Sequence, residues 1–229
     1  MKSECTQETL TFLGVFYLLE QIFIQCLNAF SDDYKTICKH HYPTIHNRGM
    51  SPAHLSSAFH RRLKAIIQAE GHSCEITLFS HDAEHQLYVF SLIINDERIW
   101  MIYPQFLNAK TEAKTQIYVA IEALKKNDAL LLNDHLVVLC DHWFDRTRSS
   151  KELYFWWIGK MPEDNSVYTH QGIHNLISET TLDKQLNNLS MTCLNRSIYH
   201  PLESNQQHVL LKYFLCFGLF RYIHNSFLS

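Results

Sequence analysis

The sequence predicts a mixed α/β (α+β) domain built on a central sheet, and three observations carry that prediction. Between Ser51 and Cys140 the apolar spacing changes in the order helix, strand, strand, strand, helix, strand. The series closes on His135 to Cys140 (HLVVLC), a short apolar run of the kind found in strands covered on both faces. Of the 229 residues, 46% are hydrophobic and only six are Gly and five Pro, which supplies a core and excludes fibrous, linker-rich and disordered classes.

Taken in order, the chain starts with apolar residues at Phe12, Phe16, Leu19, Phe23, Cys26 and Phe30, the alternating three- and four-residue steps of a helix seam. Glu20, Gln21 and Gln25 interrupt the stretch, and Glu4 and Glu8 stand where a leader would carry basic residues, so the reading is a helix that does not enter a membrane. Ser51-Pro52 is a cap followed by proline at the first helical position, and Leu55, Phe59, Leu63, Ile66 and Ile67 give one apolar face ending at Gly71. Three β-rich runs follow at Cys74 to Ser80, His85 to Asn95 and Arg98 to Gln105, the last two joined at Asn95-Asp96. Lys110 to Lys126 is a second amphipathic helix. Leu153 to Ile158, with Trp156 and Trp157, reads as a further strand, and residues 163–207 as irregular, with a short helix starting at Thr180 and Thr181. Val209, Tyr213, Cys216, Phe220, Ile223 and Phe227 repeat the seam spacing, so a C-terminal helix is expected to pack on the N-terminal one, within one chain or as a homodimer. The expected division is an N-terminal helical segment at 1–44, an α/β core at 45–160 and a C-terminal helical region at 161–229, forming one compact unit.

The order αβββαβ over roughly residues 45 to 145, with Gln116 and Tyr118 on the helix entered near Lys110, resembles the core of the PD-(D/E)XK nuclease-like superfamily. The resemblance implies a divalent cation held by an acidic residue near the start of the second strand and by an acidic-x-Lys triplet on the third. Asp82 and Glu84 could fill the first position. The third strand reads Trp100-Met101-Ile102-Tyr103-Pro104-Gln105 and offers no carboxylate two places before a lysine. With Gln105 in the lysine position, Tyr103 takes the carboxylate position and is no anionic ligand at neutral pH. Lys110 or Lys114 could take over the lysine role, and Glu112 is the one acidic residue nearby. The pattern is therefore degenerate: no cofactor is expected, and Mg²⁺ only if another element completes the site.

Other constellations give weaker signals. His81/His85 and His170/His174 have i,i+4 spacing without convincing helices beneath them, and Cys38-Lys39-His40-His41 with His46 lacks a second ligand pair and reads as a loop. Cys140-Asp141-His142 cannot make a direct thiol–imidazole pair on an extended chain, because neighbours face opposite ways. Seven scattered cysteines without a CxxC indicate reduced thiols and a cytoplasmic protein.

Twenty Lys and Arg against 23 Asp and Glu give no global basic field, so nucleic-acid contact would need a local patch. Arg48, Arg61, Arg62 and Lys64 near the first core helix, with Lys110 and Lys114 at the start of the second, are its candidates. Two functions follow. One is a catalytically impaired nuclease-like protein that binds nucleic acid or a nucleic-acid-processing complex; the other is a non-enzymatic protein-binding module, chaperone-like or a regulatory dimer, whose terminal helices are the partner surface.

Overall fold

A computed structural model describes residues 4–41, 50–105, 111–204 and 206–223, with side chains from 19 to 40 in the first segment and from 114 in the third. Twelve elements follow in the order α1 (Glu4–His41), α2 (Pro52–Ala69), β1 (Cys74–Asp82), β2 (Leu87–Ile94), β3 (Glu97–Tyr103), α3 (Thr111–Lys126), β4 (His135–Trp143), α4 (Arg148–Ile158), α5 (Asn165–His170), α6 (Leu182–Asn187), β5 (Met191–Tyr199) and β6 (Tyr213–Tyr222). The six strands form one mixed sheet in the order β1-β2-β3-β4-β6-β5.

The expected αβββαβ order is present from α2 to β4. Ser51 caps α2, its hydroxyl accepting from the His54 N–H at 3.3 Å, and Gly71 leaves the helix in the left-handed region. Asn95 and Asp96 both take positive φ, the tight turn that matches the twist of β2 and β3. β1, β2 and β3 form an antiparallel meander, and α3 crosses over to lay β4 parallel to β3, Ile99 opposite His135.

Alternation along the strands divides the core in two. Trp100 and Ile102 of β3 face α3 together with Leu136 and Val138, and the side chains of α4, α5 and α6 complete that layer. Ile99, Met101 and Tyr103 point the other way, against Leu55, Phe59 and Leu63 of α2 and Phe23, Phe30 and Tyr34 of α1. The result is a sheet with helices on both faces.

Three expectations are corrected. The C-terminal stretch is not a helix, and the 161–229 region is not helical as a whole: Tyr213 to Tyr222 is β6, inserted between β4 and β5. Its eight apolar residues YFLCFGLF satisfy a three- and four-residue spacing only because every position is apolar; the strand is buried on both faces, like β4. The N-terminal seam does pack on this element, Phe23 lying 6.3 Å from Phe217 between ring centres, but against a sheet and inside one chain, so a dimer of paired terminal helices has no second helix. Leu153 to Ile158 is helical, because Thr147 caps α4 and buries Leu153, Trp156 and Trp157 at helical spacing. β5 lies in the stretch read as irregular; as an edge strand it is half-buried at every position after Met191 and lacks a long apolar run. Phe12 and Phe16, as side chains, and Phe227 lie outside the described residues.

Gly218 has a specific packing reason. A Cβ there would meet the Phe220 ring at 2.6 Å and the Trp157 indole at 3.6 Å, so only glycine lets both aromatics close over the strand.

Candidate nucleic-acid interface

The nuclease-like positions do not converge. Asp82 ends β1 opposite Leu87, whose side chain belongs to the α3 layer, whereas Tyr103 faces the α2 layer. The two would-be ligand positions thus sit on opposite faces of the sheet, two strands apart. Asp82 is instead engaged locally: its carboxylate accepts the His85 N–H at 3.1 Å and lies 2.9 Å from His85 Nδ1, which holds its pKa below the usual carboxylate value. Glu84 is exposed in the turn that follows. Tyr103 is fully buried, its hydroxyl 3.7 Å from Met101 Sδ, and burial raises its pKa well above the ordinary phenol value. Gln105 is half-buried just beyond β3, while Lys110 and the Glu112 side chain lie outside the described residues. Among the described residues no group of three or more His, Cys, Asp or Glu is placed to hold a metal ion.

The basic residues divide as well. Arg61 and Arg62 face α1, lining a groove of about 460 Å³ with Asp33 and Thr36, and Arg62 makes a two-pronged pair with Asp33 at 2.6 and 2.5 Å. Lys64 lies one turn beyond His60 and is close enough to act electrostatically on both His60 and Cys74, so it faces the β1 side. Lys114 is on the other face of the sheet, its ammonium 4.8 Å from the centre of a Trp156 ring and its pKa lowered by burial. The single basic rim is not formed by these four, since α2 and α3 cover opposite faces. Arg48 lies outside the described residues.

The histidine and cysteine clusters resolve in the same local way. Cys38 to His41 continue α1 rather than forming a loop, and His46 lies outside the described residues. His81 is in β1 and His85 in a turn, and Gly172, at φ 75°, separates His170 from His174. Cys140 is a core thiol opposite Cys216, with its pKa pushed up by burial. Its neighbour Asp141 is fully enclosed and ties β4 to α1, β6 and the residue leading into α2: its Oδ2 accepts the Tyr34 hydroxyl at 2.7 Å, the Met50 N–H at 2.6 Å and the Tyr213 hydroxyl. Burial still raises its pKa against those three donors.

One arrangement was not anticipated. On the α2 face of the outer strands, His81 stacks on Tyr88 at 4.0 Å between ring centres and 21° between planes, and Tyr88 lies 6.4 Å and 11° from Phe90. His60 of α2 closes the row with its ring edge-on to Phe90 at 4.6 Å. Leu78, opposite Phe90 on β1, is 51% exposed and extends the shelf to the edge of the sheet. The row comes from strand geometry: Tyr88 and Phe90 are two residues apart on β2 and share a face, and the register places His81 beside Tyr88. The alternation Leu87-Tyr88-Val89-Phe90, aromatic at every second residue, was the sequence signal for it.

No protein-family model matches this chain, and no curated protein matches it. A solved structure similar to it is the crystal structure of humanized D. rerio TDP2 carrying 14 mutations, at 8% identity and a TM-score of 0.31, covering 84% of this chain and 93% of that one. A TM-score of that size does not define a shared fold.

Proposed function

We propose that this chain is a catalytically impaired, nuclease-like protein that binds single-stranded nucleic acid, alone or within a nucleic-acid-processing complex, along the α2–β1–β2 side of its sheet. The observation that carries the reading is the stacked row of His81, Tyr88 and Phe90, closed by His60, with Lys64 one helical turn beyond His60. Bases stack on such rings whatever their sequence, at about 1–3 kcal/mol each, while a neighbouring cation contacts phosphate. The αβββαβ order and the lack of an acidic-x-Lys triplet on β3, whose one carboxylate is Glu97 at its first position, support a scaffold of nuclease type without its metal chemistry.

The test is fluorescence anisotropy with a labelled oligothymidylate and a duplex of equal length. Single strands should bind in preference, Tyr88→Ala should weaken binding about tenfold or more, and Lys64→Gln should lower the salt slope by about 0.7. No cleavage is expected with Mg²⁺ or Mn²⁺. Equal affinity of Tyr88→Ala and the parent protein would refute the shelf, and cleavage lost in Asp82→Ala would refute the impairment. A second reading, protein docking, is favoured by β1, an open edge strand on which Leu78 and Phe79 are 51% and 41% exposed. Full oligonucleotide indifference combined with protein capture abolished by Leu78→Lys would select it.

A further inference from the structure

The opposite edge of the sheet has an open cavity of about 410 Å³, bordered by the end of α4, residues 178–181, the start of α6 and β5. Lys160, Lys184 and Arg196 line it, with the hydroxyl residues Ser178, Thr180 and Thr181. Arg196 is the informative residue. Its side chain is 15% exposed, and its Nη1 is enclosed with no hydrogen-bond partner. Asp183 Oδ2 stands 3.9 Å from Nη2, beyond hydrogen-bond distance, and the other polar neighbour is the Cys193 thiol. A guanidinium does not shed its proton, so this is a buried positive charge with incomplete compensation.

The remaining charges do not cancel it. Glu179 also lines the cavity, but its side chain is 93% exposed and lies 4.0 Å from Arg148, so it is screened by solvent. Lys160 approaches Glu163 at 3.8 Å on the open surface, a pair of little energetic weight. Lys184 is exposed at the mouth. The Thr181 hydroxyl accepts the Lys184 N–H at 3.3 Å and keeps its own proton to donate. Gly159, at φ +85°, lets the chain pass close to the guanidinium: a Cβ there would stand 3.4 Å from Nη2. Three cations and three hydroxyl residues thus line the cavity with two carboxylates, Asp183 and the solvent-exposed Glu179, which leaves one positive charge in excess.

We infer that this cavity binds a tetrahedral oxyanion, the phosphate of a small phosphorylated molecule. Arg offers a planar fork to such an anion, the two ammonium groups offer mobile point charges, and the volume accommodates an organic body of mononucleotide size beside the phosphate. The site is independent of the aromatic shelf, which lies at the other edge of the sheet.

The experiment is thermal melting of the full chain in inorganic phosphate against chloride at equal ionic strength, followed by calorimetric titration with AMP and with adenosine. Phosphate should raise the melting temperature above the chloride control, and AMP should bind where adenosine does not. The double variant Lys160→Gln/Lys184→Gln, both positions exposed, should melt like the parent without ligand and bind phosphate at least tenfold more weakly. Arg196→Gln should abolish the phosphate effect. A phosphate shift equal to that of chloride, adenosine binding as tightly as AMP, or undiminished phosphate affinity in the folded double variant would each overturn the assignment.

Discussion

β4 and β1 belong to the same sheet and are equally long, yet they live in different surroundings. Eight of the nine residues of β4 are buried and only Trp143 is partly exposed, because α1 and α2 cover one face and α3 and α4 the other. β1 has no buried residue: it is an edge, with a register shift between Leu78 and Ser80. The inner strands are shaped by packing, so their residues report stability. The outer strand β1 is paired on one side only, and beside it the rings of Tyr88 and Phe90 stay half-exposed, which is where a binding partner can reach them.

That contrast can be broken first at the centre. Trp157→Ala removes a fully buried indole whose N–H donates to the Phe217 carbonyl at 3.0 Å and whose ring closes over Gly218. The expected loss is about 3–5 kcal/mol, read as a lowered urea midpoint. Phe23→Ala, on the other face of β6, should cost a similar amount.

A second measurement uses pH, where the two regions act with opposite sign. His60, at the shelf, is held near a pKa of about 4 by burial and then by the Lys64 charge. The unfolded chain binds that proton at higher pH, so the stability His60 contributes is present above about pH 6.5 and lost as pH falls towards 4. Asp141, at the centre, has its pKa raised by burial, so its contribution is present below the ordinary carboxylate value and lost as pH rises through the raised one. Urea midpoints against pH should therefore lose their acid-side decline in His60→Leu and their decline with rising pH in Asp141→Asn. The smallest effect should come from Leu78→Ser, within about 0.5 kcal/mol. A larger loss would mean that the hairpin is packed after all.

Legibility in the sequence follows the same division. α2, the hairpin and α3 were readable because their caps, turn residues and one-sided apolar faces are local signals that tertiary packing did not override. β6 was misread because Tyr213 to Phe220 is apolar at every position and so fits any period, and α4 because paired tryptophans favour a strand in isolation. The candidate surface was less legible. Register across β1 and β2 decides that His81 meets Tyr88, and the crossover decides that Lys114 leaves the face occupied by Lys64. The oxyanion cavity draws on residues 159, 178–184 and 196, whose meeting no local spacing encodes.

The place of β6 bears on how the protein is made. In chain order it follows every other described strand, yet it fills the gap between β4 and β5. Until residue 222 has left the ribosome, β4 presents an open apolar edge and β5 has no strand to pair with. Closure joins His135 to Arg221, a long loop, and is slow for that reason. The nascent chain therefore carries its most adhesive edge while residues 144–222 are being made, a stretch of time in which a chaperone has a defined strand to guard.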